Sequence, residues 1–261
     1  MKQILLITDG CSNVGVSPVI AAAHAKAEGI VVNVVGLLDA HETDEHAAEE
    51  INEIARAGGG MSRIVTGSHL SKTVQMMTRK TVAQTIQQAV GKELQQILGN
   101  AQLESLPPDQ RSQVVQVIDD LSETTAIQIA LLIDTSASMK PKLAAVKEAI
   151  YDLQLSLQAR IGKSETAVFH FPGTGANQQE SEMDMNWTTN LANLNRLFYK
   201  LNIRGTTPTG PALLKVTRFI IGVPFADIDD IDENENPRQD ASFVTGNVPL
   251  GKDGILSGYI V

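Results

Sequence analysis

The stretch Ile127-Gln-Ile-Ala-Leu-Leu-Ile-Asp134-Thr-Ser-Ala-Ser138 decides how this chain is read. Seven residues, nearly all apolar, run into an acid and two hydroxyls, and an amphipathic pattern from Met139 to about Arg160 follows. That succession is a buried strand, then a loop, then a helix, with small oxygen donors at the strand's C-terminal end. In open α/β sheets this edge is where ligands bind. One Asp and two Ser make a poor cation site alone, since a hard divalent ion takes about six oxygens.

Two further stretches supply more donors. Gly205-Thr206-Thr207-Pro208-Thr209-Gly210 is a hydroxyl-rich turn that opens another helix, and Ile4-Leu5-Leu6-Ile7-Thr8-Asp9-Gly10 is a second buried-strand pattern ending in an acid and a glycine. Together the three pieces resemble the metal-ion-dependent adhesion site of von Willebrand factor A (vWA) domains. That site combines a DxSxS strand end, a Thr in a Gly-rich turn, and the Asp of a TDG strand end. Asp134, Ser136, Ser138, Thr207 and Asp9 fill those places here. The chain also looks like the vWA proteins of endospore-forming Gram-positive bacteria.

The order of the pieces departs from the family, whose members read DxSxS, Thr turn, TDG. Here TDG comes first, as if the domain had been cut before its fourth strand and resealed elsewhere. The resemblance therefore implies an α/β, doubly wound, Rossmann-like and mostly parallel sheet, vWA-like but circularly permuted, with an inserted helical hairpin. Residues 1–98 would form the C-terminal half of that fold and 127–221 its N-terminal half, with 99–126 as the helical return.

Bulk properties bound the alternatives. A chain of 261 residues, 43% hydrophobic and 20% charged, has the composition of an ordinary globular protein with a sizeable core. Its net charge of −9 argues against a phosphate-dominated nucleic-acid partner. A single cysteine, Cys11, excludes an internal disulfide and fits a reducing compartment. No apolar run approaches a membrane span, and no secretory leader pattern precedes the first strand. The expectation is a cytoplasmic protein without a membrane or nucleic-acid partner.

Taken in order, residues 3–8 form a buried strand. Ser17-Pro18 opens a helix that runs to about Glu28, and Gly29 caps it. Ile30 to Gly36 is a second strand, and Asp44 to Ala57 a helix with Thr43 as N-cap. Gly58-Gly59-Gly60 ends that helix, and Met61 to Val65 is a short third strand. This βαβαβ rhythm requires a parallel sheet with right-handed crossovers.

His69 to Leu98 carries a helical stripe of Leu70, Val74 and Met77, continued by Val82, Ile86, Val90, Leu94 and Ile97. At about 1.5 Å per residue it overshoots any strand. A turn at Pro107-Pro108 starts a second helix near Asp109, ending about Leu121, so the pair makes a hairpin that protrudes away from the metal edge. Farther on, Thr166 to Phe171 is a strand, Thr174 to Glu180 a polar loop, and Glu182 to Met185 a short antiparallel edge strand. Helices are expected over Leu191 to Leu201 and Pro211 to Ile221. Residues 222–261, rich in Asp and Glu, read as a solvated, disordered tail with an apolar end.

The resemblance implies that Asp134, Ser136, Ser138, Thr207 and Asp9 hold a divalent cation, foremost Mg2+, with Mn2+ or Ca2+ as alternatives. Without a metal, the same acids would cap turns and helices, and the hydroxyls would satisfy backbone groups. Asp39, His41, Glu42, Asp44 and His46 imitate a zinc cluster, but acids at a helix start favour its dipole, and the set reads as a solvated loop. Cys11 lies near Asp9 without an activating His in the sequence around it, so it is not a nucleophile. Lys72, Arg79, Lys80 and Lys92 are dispersed along the long helix as a solvated face. Trp187 is assigned to edge-strand packing, and Met76 and Met77 to core or hairpin contacts.

The functional expectation is a non-catalytic, metal-dependent binding module. Its cation grips an Asp or Glu of a partner protein, and the helical hairpin offers a second surface or a route to self-association. The alternative is a Mg-dependent phosphatase or phosphotransferase built on Asp134 and Asp9. Against it, no nucleophile–base pair or phosphate-binding Lys loop accompanies the motif, and no Lys or Arg is expected to adjoin it to steady a phosphate. A dinucleotide-binding fold is disfavoured by the missing Gly-x-Gly-x-x-Gly after the first strand.

Overall fold

The structure is a computed structural model, and it describes residues 1–10, 12–38, 45–98, 106–173, 181–190 and 206–223. Six strands form one sheet: β1 (Lys2–Thr8), β2 (Ile30–Leu37), β3 (Gly59–Val65), β4 (Ile127–Asp134), β5 (Ser164–Phe171) and β6 (Glu182–Thr188). Their order is β3-β2-β1-β4-β5-β6. The first five run parallel, and β6 pairs antiparallel with β5 at the edge. Apolar, β-branched runs such as Ile4–Ile7 and Ile129–Ile133 are fully buried, as strands covered on both faces must be.

Among the described residues six helices cover the two faces: α1 (Pro18–Ala27), α2 (Glu45–Ala57), α3 (Leu70–Leu98), α4 (Pro108–Thr124), α5 (Leu143–Gln158) and α6 (Thr209–Ile221). Ala21, Ala22 and Ala25 of α1, Ile51 and Ile54 of α2, and Leu213 and Val216 of α6 pack with Ile4, Leu6 and Leu132 on one face. Leu70, Val74 and Met77 of α3, Ile118 of α4, and Val146, Ile150 and Leu153 of α5 pack with Leu5, Ile7, Leu131 and Ile133 on the other. This is a Rossmann-like arrangement. Right-handed crossovers carry β1-α1-β2-α2-β3 outward on one face and β4-α5-β5 outward on the opposite face. The direction of winding reverses between β1 and β4, so a crevice opens above their C-terminal ends.

Several boundaries differ from the sequence reading. Gly59 and Gly60 do not form a loop; β3 begins at Gly59, which pairs with Val32. A Cβ on Gly60 would lie 2.1 Å from the Val32 carbonyl oxygen, and Gly59 has φ +67°. The glycines are therefore needed for a close approach of strand backbones, not for breaking the chain. The helix after Ser138 does not start at Met139. A 3-10 turn over Ala137–Lys142 contains Pro141, and the regular helix begins at Leu143. The proline explains this, because it has no N–H to give to a helix already under way. The edge strand β6 runs on to Thr188, three residues beyond Met185.

The long helix α3 follows a 3-10 turn at Gly67–His69 and spans 29 residues, about 43 Å at the helical rise. It outruns the sheet, and from Gly91 to Gln96 it is largely exposed. Its partner α4 extends to Thr124 and packs against it through Ile118 and the half-buried Val114. Met77 is buried in the core, whereas neighbouring Met76 faces solvent. Asn33 on β2 accepts hydrogen bonds from Thr81 Oγ1 of α3 at 3.1 Å and Met61 N of β3 at 2.9 Å, joining helix to sheet. Trp187 of β6 stacks on Phe219 of α6, with ring centroids 5.5 Å apart. The stretches assigned above to Cys11, Asp39–Asp44, the 174–180 loop, the 191–201 helix and the tail after Val223 lie outside the described residues.

Candidate functional site

Strand β4 ends at Asp134, which is fully buried beside the C-terminal end of β1. The parallel register pairs Ile7 with Ile133, so one residue further Thr8 and Asp134 are neighbours. Thr8 Oγ1 donates to Asp134 Oδ2 at 2.8 Å, and the Ser136 N–H donates to Asp134 Oδ1 at 2.8 Å. Both carboxylate oxygens thus have a donor. Burial nevertheless pushes the Asp134 carboxyl up from 3.8 to about 6; the hydrogen bonds from Ser136 and Thr8 pull it back, and the neighbouring Asp9 carboxylate adds to the rise.

The hydroxyls of Ser136 and Ser138 lie 3.2 Å apart, and Ser138 Oγ donates to Asp9 Oδ1 at 2.9 Å. Residues 129 positions apart in the chain are therefore in direct contact. The second oxygen of Asp9 accepts from Lys142 Nζ at 2.7 Å, in a pair whose side chains are only 11% and 3% exposed. Lys142 closes the 3-10 turn that Ser138 helps to open, and its long stem carries the ammonium back to the same carboxylate.

The Thr turn is tied to the loop after Asp9. Asn13 N donates to the Thr207 carbonyl at 3.2 Å, Thr207 N donates to Asn13 Oδ1 at 2.8 Å, and Ser12 Oγ reaches the same carbonyl at 3.2 Å. Ser12 N in turn donates to Glu50 Oε2 of α2 at 2.8 Å, and burial raises the Glu50 carboxyl above its ordinary value despite that bond. Two glycines permit this packing. A Cβ on Gly210 would sit 1.8 Å from the Val16 carbonyl oxygen, and Gly15, at φ +84°, faces the Pro211 ring.

Asp134, Ser136, Ser138 and Asp9 thus meet in one hydrogen-bonded cluster, and Thr207 is linked to it through the 12–13 backbone. The sequence reading missed Thr8, Lys142, Ser12 and Asn13. Lys142 overturns the expectation that no Lys adjoins the motif, because the 3-10 turn brings its ammonium onto Asp9, and Thr8 is placed only by the strand register beside Asp134. Asn13 carries no pattern of its own. Near the zinc-like loop, only His46 is described, and it is exposed on α2. Lys72, Arg79, Lys80 and Lys92 are exposed along α3, and Arg79 Nη2 donates to Ser156 Oγ at 2.9 Å. A cavity of about 240 Å3 between α3, α4 and α5, lined in part by Arg79, Asp119 and Arg160, lies by Ile127, at the other end of β4.

The donor set is chemically suited to a hard divalent cation: two carboxylates and three hydroxyls, all oxygen. Thr206 Oγ1 and Thr209 Oγ1, flanking Thr207, are buried without a hydrogen-bond partner among the described residues, so the turn has unsatisfied donors. An ammonium already sits on Asp9, so one of the two carboxylates has a cation of the chain's own beside it. No group of three or more His, Cys, Asp or Glu that could hold a metal ion occurs among the described residues. No helix among them is long and apolar enough to cross a membrane.

No protein-family model matches the chain. A crystal structure of an uncharacterised protein from Alicyclobacillus acidocaldarius superimposes with a TM-score of 0.79 at 40% identity, covering 89% of this chain and 97% of that one. The proximal thread matrix protein 1 of the mussel byssus aligns at 16% identity with a TM-score of 0.24, which is too low to carry an argument. An uncharacterised protein of Bacillus subtilis (strain 168), YabS, is 50% identical over 218 residues, 83% of this chain and 88% of its own length. The chain belongs to the YabS family.

Proposed function

We propose that this protein is a metal-dependent protein-binding module of the vWA type, with a permuted order of its halves. The observation that carries the reading is the contact from Ser138 Oγ to Asp9 Oδ1, which joins the DxSxS segment to the TDG segment across the winding reversal of the sheet. The adjacency of β1 and β4 supports the permutation, since it places the chain's opening strand beside the strand that ends at Asp134. In this reading residues 1–98 and 127–221 are the two halves of one domain, and the α3–α4 hairpin is a second contact surface.

Asp134, Ser136, Ser138, Thr207 and Asp9 would hold the cation, Mg2+ foremost. Bound there, the ion would act as an electrophile open to a carboxylate, because hydroxyl ligands neutralise little of its charge. Thr8 and the Ser136 N–H hold Asp134 in place, and the Asn13–Thr207 bonds hold the Thr turn against the loop after Asp9. A partner presenting Asp or Glu is the ligand class this chemistry selects. An enzymatic reading on the same acids finds less support. The cation nearest Asp9 is itself bound to that carboxylate.

Calorimetric titration of Mg2+ into the protein, with Asp134→Ala as control, tests the proposal. Binding in the parent chain and its loss in the variant are expected. A parent chain that takes up no divalent ion, or a variant that binds as well, overturns the reading.

A further inference from the structure

We propose that Lys142 is an intramolecular competitor for the cation site: its ammonium serves as the counter-ion of Asp9 when no metal is bound, and it must leave when a divalent ion enters. The inference rests on the metal-binding reading above. It begins from geometry. Lys142 Nζ is 2.7 Å from Asp9 Oδ2, and Ser138 Oγ is 2.9 Å from Asp9 Oδ1, so one carboxylate is shared between a candidate metal ligand and a fixed cation.

The pair is nearly closed to water, with the Asp9 side chain 3% exposed. A buried carboxylate beside a second buried carboxylate needs a positive neighbour, and Lys142 provides one from within the chain. A divalent ion held by Asp9 would lie within a few ångströms of that ammonium, in surroundings where charge repulsion is weakly screened. Both cations cannot keep full contact with Asp9. Lys142 has the means to withdraw: it sits in the 3-10 turn preceding α5, its stem is long and flexible, and part of it reaches solvent. Affinity for the metal is then set by the difference between two cations on one carboxylate, not by the oxygen ligands alone.

A plain structural salt bridge would predict something else. It would anchor the start of α5 to β1 whether or not metal is present, and removing it would cost the same stability in both conditions. The competitor model makes the cost depend on metal.

Mg2+ affinity by calorimetry and thermal midpoints with Mg2+ or with chelator are measured for the parent chain and for Lys142→Gln, Lys142→Met and Lys142→Arg. Lys142→Gln and Lys142→Met are expected to bind Mg2+ about tenfold more tightly or better, and Lys142→Arg to bind as weakly as the parent. In chelator the two neutral variants melt below the parent, and with saturating Mg2+ the gap closes. Equal or weaker Mg2+ binding by both neutral variants, with the parent still binding, overturns the competitor role and leaves the metal site standing. An equal loss of stability with and without Mg2+ assigns Lys142 to anchoring and also overturns it. Absence of binding in the parent overturns this inference together with the metal reading.

Discussion

Thr8 Oγ1 donates a 2.8 Å hydrogen bond to Asp134 Oδ2, joining the ends of β1 and β4 across the point where the sheet's winding reverses. Both residues are buried, so the bond replaces water that neither group can reach. Substituting Thr8→Val keeps the shape and removes the donor. It should cost about 1–3 kcal/mol of stability, the usual penalty for leaving a buried acceptor short of a partner. Thr8→Ser, which restores a hydroxyl, should recover most of it. Urea denaturation in chelator measures both, and a Thr8→Val midpoint equal to that of the parent would show that the bond contributes nothing.

Much of this arrangement was legible from the chain. Apolar runs such as Ile4–Ile7 and Ile129–Ile133 announced buried strands, and the acids at their ends lay where α/β sheets bind ligands. What pattern could not supply was which donors serve which acceptor. Thr8 reads as one more strand residue until the register places it opposite Asp134. Lys142 reads as a surface lysine until the 3-10 turn around Pro141 directs it back to Asp9. The glycines at 58–60 misled because a missing Cβ can serve a tight turn or a close approach of strands, and only the fold distinguishes them. In this chain Gly60 lies against Val32, so the close approach decides the matter.

Asp134 gives the fold a pH dependence with a defined sign. Burial raises its carboxyl from 3.8 to about 6 in the folded chain. Between those values the folded state holds a proton that the unfolded state has lost, so stability falls as pH rises through about 4 to about 6 and is fully reduced above that window. The size of the effect is of order 3 kcal/mol, from roughly 1.4 kcal/mol for each pH unit of difference. In chelator, Asp134→Asn should therefore gain on the parent as pH is raised from 4 to 7.5. Urea midpoints at the two pH values check this. A difference between the two proteins that does not change with pH would mean that Asp134 titrates alike in both states.

Gly210 is where α6 and the loop before α1 meet. Its Cβ position lies 1.8 Å from the Val16 carbonyl oxygen and 2.8 Å from that carbonyl's carbon, so backbone and not a flexible side chain would have to move. Gly210→Ala should push the N-terminal turn of α6 away from Val16 and carry Thr207 with it, because Thr207 is bonded to Asn13 in the same loop. A loss of several kcal/mol is expected, in the range of severe packing defects. If the chain still folds, the Mg2+ affinity expected for the site should fall along with the melting temperature. Gly222→Ala, at a helix C-cap with open space around it, should cost only the strain of its φ of +88°, about 1 kcal/mol.

Arg160 fastens the hairpin's return to the sheet. Its Nη2 donates to the Ser122 carbonyl at 2.5 Å and to the Thr125 carbonyl at 2.9 Å, while Nη1 reaches Ser164 Oγ at 2.8 Å. Two acceptors close the C-terminus of α4, and the third begins β5, so one guanidinium binds the entry to β4 to its neighbour. A cation placed at a helix C-terminus also meets the favourable end of the dipole. Arg160→Met keeps the apolar stem and removes every donor, and a loss of about 2–3 kcal/mol follows from giving up hydrogen bonds to a charged group. Arg160→Lys should recover little, because a single ammonium cannot span three acceptors arranged for a planar fork. Thermal midpoints give the total. Amide hydrogen exchange gives the location: the amides of α4 should lose protection before those of β1 and β4, whose strands are buried on both faces. Uniform loss of protection across the sheet would place the defect in the core instead of at the hairpin.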